Sequence, residues 1–184
     1  MDTPHFLNTG DMIGIVSTAR KITSIELQPL ICLIESWGLT YVLGTTINAE
    51  SNQYAGDDAA RVLDFQTMLD DSKVKAIWCA RGGYGTLRIV DQLDFSAFKQ
   101  NPKWIIGYSD VTVLHAHIHS FRIETLHANM AIDIDTKTEN TRNSIKKVLF
   151  GEDYSIEVVS ENKRNRSGVA SGQLIGGNLS ILYS

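Results

Sequence analysis

Apolar and polar positions along this chain repeat with two different periods. Met12 to Ser17 (MIGIVS) is a short, β-branched apolar run, with Gly10 before it and a polar STARK stretch after it. It predicts a first strand buried on both faces. Leu27, Leu30, Ile31 and Ile34 then recur at helical spacing, with Glu26 and Glu35 off that face, and this helix should stop near Gly38. Thr40 to Leu43 predicts a short second strand, and the polar segment from Gly44 to Gly56 a long loop. Val62, Phe65 and Leu69 mark a helix from about Asp57 to Asp70. Val74 to Ala80 (VKAIWCA) predicts a third strand, followed at once by Arg81-Gly82-Gly83-Tyr84-Gly85 and a helical-looking TLRIVDQLD. Asn101-Pro102 breaks the chain before a fourth strand, Trp104 to Gly107. The next helix carries Val111, Leu114, Ile118 and Phe121, and IETLHA then predicts another strand.

Such alternation implies βαβ units with right-handed crossovers and a parallel sheet, an α/β fold. Ligands on these sheets bind beyond the carboxyl ends of the strands. Three loops fit that description: STAR after the first strand, RGGYG after the third and GYSD after the fourth. They should converge on one crevice. After about Gly151 the pattern changes. YSIEVV predicts a strand, ENKRNRS (161–167) a charged linker, and VASGQLIGGNLSILYS the opening of a second domain. The expected division is 1–160 for the α/β domain and 161–184 for the linker and the start of a second domain.

Composition narrows the function classes. The 184 residues are 43% hydrophobic and 21% charged, with a formal charge of −4. A mildly acidic chain with no basic cluster argues against nucleic acid as a partner. Cys32 and Cys79 lack CxxC spacing and lie in apolar contexts, which predicts two buried thiols. The Met1-Asp2-Thr3-Pro4 start shows no leader pattern, and no apolar run is long enough to span a bilayer, so a cytoplasmic enzyme or binding protein without a membrane partner is expected.

The corners carry the candidate chemistry. In Gly107-Tyr108-Ser109-Asp110, a serine between strand and helix can project its Oγ above the sheet edge, where backbone N–H groups stabilise developing negative charge. The G-x-S-x-G pattern of a nucleophile elbow is not met, since Val111 stands at the second glycine position. By geometry alone, Ser109 or Asp110 as a plain helix N-cap is the commoner role. RGGYG lets the backbone approach a ligand closely. It is neither a Walker loop nor G-x-G-x-x-G, so half an oxyanion hole, a phosphate cradle and a plain turn all stay open. His115 and His119 are four residues apart on one helix face and could hold a metal, but Ala116 stands where a catalytic Glu would be expected.

Taken together, GDMIGIVS, AGDDAARVLDFQTMLDDSKVKAIWCARGGYGTLRIVDQLDF, KWIIGYSDVTVLHAHI and QLIGGNLSIL resemble the LD-carboxypeptidase family of serine peptidases, which includes the microcin C immunity peptidases. The resemblance implies a flavodoxin-like, doubly wound N-terminal domain followed by a smaller β-rich domain. It implies hydrolysis of an amide between an L-centre and a D-residue in a small peptide, either a murein peptide or a peptidyl nucleotide. No cofactor or metal is implied, and a homodimer is. By position, Ser109 is the implied nucleophile, and the backbone N–H groups of Gly83 and Asp110 are the implied oxyanion hole. Arg81, Tyr84 and His127 fall on the substrate side. The family's triad Glu and His follow the GGNLS segment, so this chain is expected to be an inactive fragment. Two departures stand out: Ser17-Thr18-Ala19-Arg20 replaces a Pro-Ser type turn, and Ala128-Asn129 replaces Gly-Pro after His127. The competing readings are a non-catalytic α/β module that binds a small anion through RGGYG, and a metal hydrolase using His115 and His119.

Overall fold

The computed structural model describes residues 1–157 and 159–183. Five parallel strands form one sheet: β1 (Met12–Val16), β2 (Thr40–Leu43), β3 (Val74–Cys79), β4 (Trp104–Gly107) and β5 (Leu126–His127). Their order is β2-β1-β3-β4-β5, which is the flavodoxin-like order. The helices are α1 (Gln28–Ser36), α2 (Asp58–Asp70), α3 (Ser96–Gln100), α4 (Thr112–His119), α5 (Glu139–Phe150) and α6 (Leu179–Tyr183). The expected α/β architecture is therefore present.

Alternating side chains on the strands feed two cores. Ile13, Ile15, Ala76, Trp78, Trp104 and Ile106 pack on one face with Leu30, Ile31 and Ile34 of α1 and with Ile145 and Leu149 of α5. Val16, Ile77, Cys79 and Ile105 pack on the other with Phe65, Met68 and Leu69 of α2 and Leu114 and Ile118 of α4. A sheet buried on both faces cannot show polar alternation, which explains its continuous apolar runs. The Gly38 stop signal acts as expected, ending α1 at φ +75°. The Asp57 side chain caps the start of α2 by accepting from the Ala60 N–H at 2.8 Å.

Three expectations are corrected. TLRIVDQLD is not an α-helix but two consecutive 3-10 turns, Thr86–Arg88 and Val90–Gln92. Asp110 Oδ2 accepts from the Gly85 and Thr86 N–H groups, so the start of the segment is held by a partner outside it. YSIEVV forms no strand at residues 154–157 or 159, and Val158 lies outside the described residues. Tyr154, Ile156 and Val159 are exposed, and among the described residues no neighbouring strand completes a ladder with them. Cys32 is exposed, on the outer side of α1; Cys79 is buried in β3. Among the described residues no helix is long and apolar enough to cross a membrane.

Candidate active site

The loops after β1, β3 and β4 meet in one open crevice of about 520 Å³. Arg81, Gly82, Gly83, Tyr84 and Ser109 all line it, so the structure brings five of the residues singled out from the sequence to one place. Arg20 from the first loop joins them, as do Tyr108, Met130, Ile132 and Asp133. Asn178 and Ser180 of the GGNLS segment, with Ile181 next to it, close one side. That segment is seated by the Asn178 N–H, which donates to Thr112 Oγ1 at 3.0 Å, and by Ile181, which packs on the α4 side of the core.

Ser109 sits on a strained corner. Tyr108 leaves β4 extended at φ −145°, and Ser109 then turns to φ +57°, in the left-handed region that non-glycine residues rarely occupy. Gly107 permits this bend, because a Cβ there would stand 2.7 Å from Val111 Cγ2. The cap role fails. Neither Ser109 nor Asp110 occupies the N-cap of α4, which is Val111 with no side-chain cap bond. Among the described residues no side chain hydrogen-bonds Ser109 Oγ. A Cβ on Gly82 would lie 3.3 Å from that oxygen, so the RGGYG backbone is pressed against the serine.

The two N–H groups singled out from the sequence are not consumed by the fold. Gly83 is at φ +152°, where a side chain would strike Arg20 Cγ at 2.9 Å, and its N–H meets no acceptor among the described residues. Asp110 is the second residue of the 3-10 turn Ser109–Val111, where N–H groups lack intrahelical partners. Its carboxylate turns away from the crevice. Asp110 Oδ2 accepts from the Gly85 N–H at 3.1 Å, the Thr86 N–H at 2.9 Å and Thr86 Oγ1 at 2.7 Å. The Thr86 hydroxyl is in turn 2.8 Å from that of Thr18. Arg61, a fully buried arginine on α2, donates from Nη1 to the carbonyls of Thr18 at 2.7 Å and Gly85 at 3.0 Å, and it pairs with Asp58. Burial draws its pKa below the ordinary value, against the opposing charge of Asp58.

The substrate-side candidates divide. Arg81 donates to the Lys21 carbonyl at 3.2 Å and lies 3.7 Å from Glu26. The Glu26 carboxyl is held below its usual value, first by bonds from the Thr23 N–H and hydroxyl and last by Arg81. Tyr84 is exposed at the crevice mouth. His127 does not line the crevice; its ring is 6.4 Å from that of Tyr108 and 5.6 Å from that of His115. His115 is buried, with Nε2 2.9 Å from the Gly107 carbonyl and Nδ1 2.8 Å from Thr125 Oγ1. Both of its ring nitrogens are thus engaged, and it cannot join His119 as a metal ligand without breaking these bonds. Among the described residues no His, Cys, Asp and Glu group forms a metal cluster.

Sequence reading missed Arg20, Asp133 and the buried Arg61–Asp110 framework. Arg20 stands in a loop already marked as facing the crevice, so its place was available. Arg61 and Asp64 are charged residues on the buried side of α2, which an apolar-stripe criterion discards by construction.

Comparison with known proteins agrees with this fold. Residues 13–128 match the family model of the LD-carboxypeptidase N-terminal domain. A Bacillus subtilis (strain 168) protein named probable murein peptide carboxypeptidase is 36% identical, over 98% of this chain and 58% of its own length. The murein tetrapeptide carboxypeptidase of Pseudomonas aeruginosa is 26% identical, over 92% of this chain and 58% of its own length. The chain therefore spans less than two thirds of the curated relatives it matches. Among solved structures, microcin C7 self immunity protein MccF in complex with aspartyl sulfamoyl adenosine shares the fold. Its TM-score is 0.81 at 22% identity, over 98% of this chain and 64% of that one.

Proposed function

The chain belongs to the LD-carboxypeptidase family, and from that premise we propose that it carries the nucleophile of a serine peptidase cleaving an amide between an L-centre and a D-residue. Ser109 Oγ attacks the carbonyl carbon of the L-centre. Negative charge gathers on the carbonyl oxygen, where the Gly83 and Asp110 N–H groups donate to it. The general base takes the Ser109 proton and gives it to the nitrogen of the D-residue, so that collapse expels a neutral amine and leaves an acyl-serine, which water then hydrolyses. Arg81, Arg20 and Tyr84 surround the end of the crevice where the free carboxylate of a small peptide would bind, and His127 stands behind Tyr108. A murein-type peptide is the favoured substrate over a peptidyl nucleotide, since the relatives named for murein peptides are the more similar in sequence.

The observation that carries this reading is the left-handed backbone of Ser109 at the end of β4, with its hydroxyl turned to the crevice instead of to a cap. The general base is proposed to be a histidine, oriented by a glutamate, in a β-rich domain that residues 161–184 begin. Residues 1–184 alone are then inactive, and the full-length protein acts as a cytoplasmic homodimer. A fluorophosphonate probe on the full-length protein should label Ser109, and Ser109→Ala should abolish both labelling and D-alanine release from a murein tetrapeptide. Tetrapeptide cleavage undiminished in Ser109→Ala would overturn the nucleophile. Turnover by residues 1–184, lost in Ser109→Ala, would overturn the missing base.

A further inference from the structure

Asp110 occupies an unusual position for a carboxylate. It is 1% exposed, and only one of its oxygens is bonded; Oδ1 has no hydrogen-bond partner among the described residues. Burying a half-satisfied carboxylate is destabilising, so its presence calls for a function. Its bonded oxygen gathers three donors from one place, the Gly85 N–H, the Thr86 N–H and the Thr86 hydroxyl. The carbonyl of the same Gly85 is held from the other side by Arg61 Nη1. The Gly85 residue is thereby gripped at both its N–H and its C=O, two residues after Gly83.

We propose that the Asp110 side chain is a positioning residue that holds the RGGYG loop in register with Ser109, so that the Gly83 N–H and Asp110's own N–H face one point above the serine oxygen. This rests on Ser109 being the nucleophile. A single residue then sets both halves of the oxyanion site. Its main chain is one donor and its side chain fixes the loop that bears the other. Thr86 is the hinge of the arrangement: its hydroxyl touches both Asp110 and Thr18, and so joins all three crevice loops.

Oxyanion donors act in the transition state and not in substrate binding, so the effect should fall on kcat. In the full-length protein, Asp110→Ala should lower kcat by roughly 10²-fold or more, the scale of losing one oxyanion donor, with KM changed less than about threefold. Thr86→Val should lower kcat by about tenfold and Thr86→Ser should restore it, because the serine hydroxyl reaches the same carboxylate. Active-site titration separates this from simple loss of folded protein, and the affinity of a peptidyl boronate should fall in step with kcat/KM. Unchanged kcat in Thr86→Val, or a fall in KM-limited binding alone, overturns the proposal, even if Asp110→Ala does not fold. Wild-type protein that is not labelled at Ser109 overturns the nucleophile reading and this role together. Labelled wild type with fully active variants overturns the Asp110 role alone.

Discussion

Arg61 Nη1 donates to the carbonyl of Gly85 at 3.0 Å from a position with almost no solvent exposure, which makes a helix on one side of the sheet a support for a loop at its edge. The same nitrogen reaches Thr18 O, so one guanidinium joins the loops after β1 and β3. Asp58 balances the charge and also receives Arg88 Nη2 at 2.7 Å, while the Tyr54 ring lies 5.0 Å from the Arg61 guanidinium carbon.

Arg61→Ala should therefore destabilise the protein strongly. Two buried carbonyls lose their donor, at about 1–3 kcal/mol each, and a cavity opens beside them. Loss of about 3–5 kcal/mol is expected in urea unfolding, with Arg61→Lys intermediate because one ammonium cannot reproduce the fork. A loss under about 1 kcal/mol would show that these bonds are replaceable.

Gly82 and Gly85 should respond differently to alanine. At Gly85 the added Cβ would collide with Arg61 Nη1 and meet Ala19 Cα at 2.8 Å and Thr18 O at 2.9 Å, the last two being backbone. At Gly82 it would meet the flexible end of Met130 at 3.1 Å and Ser109 Oγ at 3.3 Å. Gly85→Ala should fail to fold or lose several degrees in Tm, whereas Gly82→Ala should fold and slow probe labelling of Ser109 in the full-length protein. Circular dichroism melts with labelling rates distinguish the two.

His115 makes stability depend on pH. Its Nε2 is the donor to the Gly107 carbonyl, and in the neutral ring Nδ1 then accepts from the Thr125 hydroxyl. Burial pulls its pKa down to about 4 from 6.5, opposed by the Gly107 bond and aided by His127. The unfolded chain thus binds a proton between these values that the folded chain refuses. The His115 contribution is complete above pH 6.5 and declines as pH falls toward 4, by about 3 kcal/mol in all at roughly 1.4 kcal/mol per unit. Urea unfolding at pH 7 and pH 4.5 should show a smaller drop in His115→Gln than in wild type; an equal drop would refute the assignment.

The two cysteines should be told apart by reactivity. Cys32 is exposed, whereas the Cys79 thiol is fully buried and pushed up to about 12, by desolvation first and the Asp110 charge second. At pH 8 the native protein should react with one equivalent of a thiol reagent and the denatured protein with two. Two fast equivalents in the native state would contradict the burial of β3.

What the sequence determined by itself was the order of elements and the location of the crevice. The apolar runs MIGIV, VKAIWC and WIIG, and the helical stripes between them, encode strands covered on both faces, because only such strands lack polar alternation. Motif content placed Ser109, Gly83 and Arg81 at strand ends. Local signals failed where local propensity was overruled. TLRIVDQLD has a helical composition, yet Asp110 and Arg61 hold its start and force tight turns. YSIEVV has a strand composition, yet its described residues, 154–157 and 159, pair with no strand among the described residues. Only the tertiary structure decided that Ser109 is not a cap, that Asp110 points inward and that His115 is occupied. The last two depend on partners between 8 and 25 residues away in the chain, and sequence spacing does not record such distances in space.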